Sequence, residues 1–174
     1  MLKRFVPDLY VKSIYHIDLA ALKKAGIKGL ITDLDNTLVA WNAMQATPKV
    51  TKWLEEVREK YGIRVVIVSN NRAARVEDFA RPLGIPAIYN ARKPRNAPFI
   101  RALSILGTRP EETVVLGDQI FTDVLGGKRM GMYTILVVPV ATKEWIGTKI
   151  LRMAERLVLN MLRRRGLITW EDVR

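Results

Sequence analysis

The sequence predicts an α/β chain: a doubly wound, Rossmann-like parallel sheet of about five strands with helices on both faces. Three observations point there. Short runs rich in β-branched residues, such as 63–68, are apolar without alternation but for Arg64, as in strands covered on both sides. Stretches with apolar residues at helical spacing separate these runs, so strand and helix alternate along the chain. Polar residues gather just after the apolar runs, at the strand ends where sheets of this kind bind ligands. The 174 residues suffice for one domain around a single core. That domain is expected to span 1–174, with its core at about 27–140 and a basic amphipathic helix at about 142–165.

Residues 5–17 carry no regular pattern. They hold His16, the one histidine, to which no function is assigned. Asp18 reads as the cap of a short helix through Lys24, stopped by Gly26, and 27–34 as the first strand. No period marks 39–46, whereas Thr47-Pro48 announces a helix. One face of that helix carries Val50, Trp53, Leu54 and Val57, and it ends at Gly62. A strand at 63–68, a helix at about 72–81, a strand at 85–89 and a helix at 98–106 stopped by Gly107 follow. Next come a strand at 113–116, a helix at about 122–130 and a strand at 133–138. Thr142 caps a long pattern with Ile146, Ile150, Met153, Leu157 and Met161 at helical spacing, broadened by Leu151, Ala154, Val158 and Leu162.

Composition narrows the chemistry. Without cysteine there is neither a thiolate nucleophile nor a disulfide framework, and a single histidine disfavours a histidine-rich metal site. If this chain breaks phosphate esters, carboxylates must do it. The net charge of +12 favours an anionic partner: nucleic acid, an acidic membrane surface or a phosphorylated substrate. The most apolar of the long uncharged runs, 130–142, is too short to span a bilayer, and no secretory pattern opens the chain, so a cytoplasmic location is expected. Gly126-Gly127-Lys128 lacks the earlier glycine of a phosphate-binding P-loop, which leaves turn or close-packing roles for those glycines.

The first strand ends in Asp33 and Asp35, two positions apart and on one face if the strand continues. Taken alone, such a pair reads as a turn cap. Two neighbouring carboxylates repel, however, and call for a compensating cation. Ser69, Lys93 and Asp118 each fall at or just after the end of a later strand, so five polar groups converge on one crevice. Ordinary caps explain Ser69, Asn70 or Asp118 singly but not the paired acids and Lys93.

The series Asp33-Leu34-Asp35-Asn36-Thr37-Leu38, Val68-Ser69-Asn70-Asn71, Arg92-Lys93-Pro94 and Gly117-Asp118-Gln119 resembles the four motifs of the haloacid dehalogenase-like (HAD) phosphohydrolases, subclass IIIA. It is most similar to the bacterial YqeG-type phosphatases and their mitochondrial relatives that dephosphorylate phosphatidylglycerophosphate. The resemblance covers about residues 5–139 and implies a HAD-like fold. Many such enzymes carry an inserted cap domain. Here the gaps between motifs hold no more than a helix, an irregular stretch and a strand, so an open, uncapped site is expected, suited to a large or surface-bound substrate.

A carboxylate is already ionised at neutral pH, so Asp33 needs alignment more than activation to serve as the nucleophile and form an aspartyl-phosphate. The resemblance assigns it the same part. Asp35 would give a proton to the leaving alkoxide and later take one from water, with its main-chain carbonyl facing a metal. Oxygen ligands alone suit Mg²⁺, held by Asp33 and Asp118, with Asp35 through its carbonyl and Asp123 as a more distant contact. Ser69 and Asn70 would hold phosphoryl oxygens and Lys93 would neutralise them. Asp123 reads equally well as an acid favoured by a helix N-terminus.

A lipid phosphate such as phosphatidylglycerophosphate is implied by the resemblance alone. In 142–165, Lys143, Lys149, Arg152, Arg156 and Arg163 to Arg165 outnumber Glu144 and Glu155 by five. Such a helix suits an anionic bilayer at the inner face of the membrane, and its apolar face also suits the sheet or a second subunit. Other readings remain open: a phosphatase of nucleic-acid ends or nucleotides, a phosphoacceptor switch, or an inactive relative that binds a partner. Asp35 argues against the switch, and the absence of an aromatic stacking stripe argues against nucleic acid.

Overall fold

The computed structural model describes residues 2–141 and 149–168. Six parallel strands form one sheet: β1 (Leu9–Val11), β2 (Gly29–Thr32), β3 (Arg64–Val68), β4 (Ala87–Ile88), β5 (Thr113–Gly117) and β6 (Tyr133–Val137). Their order is β1-β6-β5-β2-β3-β4. From β2 the chain runs outward to β3 and β4, then returns to lay β5 and β6 on the other side. The reversal leaves a crevice between the carboxyl ends of β2 and β5, the switch point where open α/β sheets bind ligands.

Alternate residues of each central strand feed opposite faces. Leu30, Val65, Ile67, Val114 and Leu116 join one apolar cluster with Trp53 and Leu54 of α2 (Pro48–Glu55) and Phe79 of α3 (Ala73–Ala80). Ile31, Val66, Val68 and Val115 join the other with Phe99, Ala102 and Leu106 of α4 (Asn96–Leu106). Both faces are thus covered, which is why these strands are apolar over most of their length, with the exposed Arg64 at the very start of β3. Local signals acted where the sequence placed them. The Asp18 carboxylate accepts from Ala21 N at the start of α1 (Leu19–Lys24), and Thr47 Oγ1 accepts from Val50 N at the start of α2. Ser13 Oγ hydrogen-bonds His16 Nδ1 at 2.8 Å, a structural part for that histidine.

The sheet has six strands where the pattern predicts about five. The addition, β1, lies inside the patternless stretch 5–17. Three residues show no period, and β1 is defined by its partner, with Leu9 beside Ile135 and Val11 beside Val137. At the opposite edge the predicted strand 85–89 contracts to two residues, its start set by Pro86, which has no N–H to donate.

The predicted helix 122–130 starts earlier, in a wide turn over Ile120–Val124 that leads into α5 (Leu125–Arg129). There Val124 N donates to Gln119 O, five residues back. In α5, a Cβ on Gly126 would strike the Phe99 ring, so close packing is what its glycine serves. The last helix, α6, spans Lys149–Arg164, while its expected cap, Thr142, lies outside the described residues. Val158, Leu159 and Leu162 of α6 pack with Tyr10, Ile120 and Leu136 in a third cluster. The helix therefore covers one face of the sheet at β1 and β6. No helix among the described residues is long and apolar enough to cross a membrane.

Candidate active site

Main-chain pairing carries β2 one residue further, since Asp33 N donates to Leu116 O at 2.9 Å. The chain then turns sharply through Asn36, whose φ of 62° lies in the left-handed region that asparagine tolerates best after glycine. Thr37 N and Leu38 N both return to Leu34 O, closing the turn. Asp33 is thereby fixed at the strand mouth, and Asp35 stands on the turn beyond it.

Three of the expected groups, Lys93, Asp118 and Asp123, meet around Asp33. Lys93 Nζ lies 2.9 Å from Asp33 Oδ1 and 2.6 Å from Asp123 Oδ1. Asp118 receives the Thr37 hydroxyl at 3.3 Å. One carboxylate oxygen each from Asp33, Asp118 and Asp123 lies within 4.8 Å of the others. Three carboxylates at that separation are unstable in a buried site unless cations answer them, and Asp118 and Asp123 are 4% and 1% exposed. Lys93 answers one charge. A hard divalent cation with oxygen ligands fits the remainder, so the donor set suits Mg²⁺ in both charge and chemistry.

The electrostatics follow the burial. Burial pushes the Asp33 carboxyl above its ordinary value, with Lys93 working against the rise and Asp123 adding to it. Burial works to lower Lys93, but the carboxylates of Asp123 and Asp33 outweigh it and hold the ammonium above its usual range. Lys93 therefore stays charged, while Asp33 is a carboxylate held at an energetic disadvantage.

Asn70 stands apart from expectation in what its side chain does. Its Oδ1 accepts from Lys93 N at 2.7 Å and its Nδ2 donates to Lys93 O at 3.3 Å. Both amide atoms clamp the lysine's backbone, so the side chain positions Lys93. Ser69 Oγ accepts from Asn71 N, shaping the loop after β3. Asp35 lies outside the carboxylate cluster, in a different set of contacts. Its Oδ1 accepts from Arg75 Nε at 3.1 Å and Nη2 at 2.9 Å, and its Oδ2 accepts from Asn71 Nδ2 at 2.9 Å.

Sequence reasoning missed Arg75, Asn71 and Thr37. Thr37 and Asn71 sit inside quoted motifs and were within reach, whereas nothing in the sequence singles out Arg75 among the many basic residues. Gly117 also enters here: a Cβ at that position would collide with the Asp123 carboxyl, so only glycine lets Asp123 reach Lys93. Asp33, Asp35, Ser69, Asn70 and Lys93 line a single cavity of about 710 Å³.

The family described as mitochondrial PGP phosphatase matches residues 2–141. The Bacillus subtilis protein YqeG, named a probable phosphatase, is 52% identical over 173 residues, covering 99% of this chain and 100% of that protein. The chloroplastic phosphatidylglycerophosphate phosphatase 1 of Chlamydomonas reinhardtii is 32% identical over 145 residues. That match covers 79% of this chain and 54% of the relative, so the chain spans little more than half of that protein's length. Among solved structures, a Legionella pneumophila protein assigned to the HAD superfamily, subfamily III A, superposes with a TM-score of 0.51. It is 22% identical and the superposition covers 84% of this chain and 90% of that one, a likeness of fold.

Proposed function

The chain belongs to the mitochondrial PGP phosphatase family and is a phosphatase of the HAD superfamily, and from that premise we propose a Mg²⁺-dependent phosphomonoester hydrolase that carries the phosphoryl group on Asp33, with a lipid phosphate such as phosphatidylglycerophosphate as substrate. The observation that carries this reading is the meeting of Asp33, Asp118 and Asp123 around Lys93 at the crevice between β2 and β5. Phosphoryl transfer needs little beyond alignment and charge neutralisation, and the site is rich in both.

A carboxylate oxygen of Asp33 attacks phosphorus in line with the ester oxygen. The new O–P bond forms as the old one breaks, and the departing alkoxide takes a proton from Asp35. Water then attacks the same phosphorus, giving its proton to Asp35 and releasing Asp33 and inorganic phosphate. Lys93 neutralises the phosphoryl oxygens. Ser69 and Asn70 hold them, Asn70 through its main-chain N–H because its amide is committed to Lys93. Asp33, Asp118 and Asp123 would hold Mg²⁺, with the Asp35 carbonyl, and the ion when bound supplies charge neutralisation at the phosphoryl group.

Two features support a lipid phosphate at the cytoplasmic face of a membrane. Relatives named as phosphatidylglycerophosphate phosphatases are 32% and 26% identical to this chain over 145 and 125 residues. On α6, Met153 and Leu157 are 62% and 65% exposed one turn apart, beside exposed Arg156 and Arg164. Apolar side chains ringed by cations suit the headgroup boundary of an anionic bilayer.

Purified protein should release phosphate from an aryl phosphate and from phosphatidylglycerophosphate in Mg²⁺, lose that activity to a chelator, and lose it in Asp33→Asn. Turnover by Asp33→Asn equal to the parent's would contradict the proposal. A panel of phosphorylated lipids, sugars, nucleotides and oligonucleotides fixes the substrate class.

A further inference from the structure

Resting on the phosphatase reading above, we infer that Arg72 and Trp41 form a second subsite that binds an additional anionic group on the departing part of the substrate, a phosphodiester one glycerol unit from the scissile phosphate. The cavity that holds Asp33 is about 710 Å³, in the size range of pockets that enclose whole small ligands and far more than a phosphoryl group fills. Its deepest cation, Lys93, is held by Asp33 and Asp123. Lys93 therefore answers the site's own carboxylates and the scissile group, and a second anion must find its charge elsewhere.

That charge is Arg72, the one other cation on the cavity wall among the described residues. Its backbone is fixed. Arg72 N donates to Asn71 Oδ1 at 2.8 Å, and the residue sits in extended conformation as the cap of α3. Among the described residues no carboxylate pairs with its exposed guanidinium, whereas Arg75, one turn further on, is taken by Asp35. An unpaired guanidinium at the mouth of a phosphate site presents a planar fork that matches a phosphodiester's two oxygens. Trp41 lines the same cavity at 40% exposure and offers an aromatic wall to the carbon chain between the two anions. The subsite selects bis-anionic glycerol esters over monoesters with an uncharged leaving group.

The test compares two soluble substrates, so that membrane contact plays no part: glycerol 3-phosphate, and glycerophosphoglycerophosphate, the deacylated headgroup with its second phosphate. The parent protein should prefer the second in kcat/KM. Arg72→Ala should shrink that preference about tenfold to a hundredfold, chiefly through KM, as expected for one charge-assisted contact. Arg72→Lys should recover part of it, keeping the charge without the fork. Thermal unfolding of each variant checks that the fold is intact. No preference in the parent, or an equal loss on both substrates in Arg72→Ala, would overturn the inference while aryl phosphate hydrolysis in Mg²⁺ still upheld the phosphatase. Failure of aryl phosphate hydrolysis as well would overturn the proposed function and this subsite with it.

Discussion

Lys93 puts one positive charge between two carboxylates, and Arg75 puts another beside a third. The two cations do different work. Lys93 holds Asp33 and Asp123 together at the reaction centre, whereas Arg75 fixes the rotamer of Asp35 through two bonds onto one oxygen. The Arg75 and Asp35 side chains are only 11% and 18% exposed, and among the described residues nothing partners the buried Arg75 Nη1, so this pair is shielded from water. Replacing Arg75 by Met should destabilise the fold by about 1–3 kcal/mol. It should also slow alkyl phosphates, whose leaving groups need a proton from Asp35, more than aryl phosphates, and the ratio of the two rates measures this. Asp33→Asn should do the reverse to stability. Because burial raises the Asp33 carboxyl, its protonated form is the one the fold favours; that contribution is present below the ordinary carboxylate value and is lost as pH rises through the raised one. A neutral amide of the same shape should therefore raise the melting temperature of metal-free protein at neutral pH relative to the parent, while ending turnover. Asp33, Lys93 and Asp118 were legible because each follows an apolar run. Arg75 was not, since an arginine on a helix is ordinarily a solvated face and only the folded turn brings it to Asp35.

Elements place these residues with little slack. The wide turn Ile120–Val124 swings Asp123 back against the end of β5, where Gly117 leaves room for it. Gly117→Ala should push the Asp123 carboxyl away from Lys93 and weaken binding of Mg²⁺, seen as a smaller rise in melting temperature on adding the ion than the parent shows. Helix α6 divides its surface. Val158, Leu159 and Leu162 face the core, and Met153 and Leu157 face outward. Changing Met153 and Leu157 together to Asp should abolish co-sedimentation with vesicles rich in anionic lipid and leave hydrolysis of a soluble aryl phosphate intact. Binding unaffected by the double change would place the membrane contact elsewhere. The caps at Asp18 and Thr47 and the covered strands were readable from local chemistry. The edge strand β1 was not, because three residues acquire strand geometry only from β6, a partner more than a hundred positions away. That α6 could serve both core and surface was readable, but which half is covered was not, since a broad apolar stripe does not say.

At the scale of the whole molecule, the sheet's reversal between β2 and β5 draws groups from four separate loops to one crevice, and a net charge of +12 surrounds it. The excess of positive charge favours approach to anionic surfaces and should make vesicle binding fall steeply with salt. Mg²⁺ binding must displace protons from the carboxylates, so its affinity should grow with pH across the range in which Asp33 ionises. The proposed mechanism turns on a single covalent event, and Asp35→Asn isolates it. An aryl leaving group departs without help, so Asp33 should still be phosphorylated, while the water that would free it has lost its base. Mass spectrometry of Asp35→Asn quenched after mixing with an aryl phosphate and Mg²⁺ should find the peptide containing Asp33 heavier by one phosphoryl group. Free phosphate released with no phosphorylated protein, or the phosphoryl group on any other residue, would contradict the account.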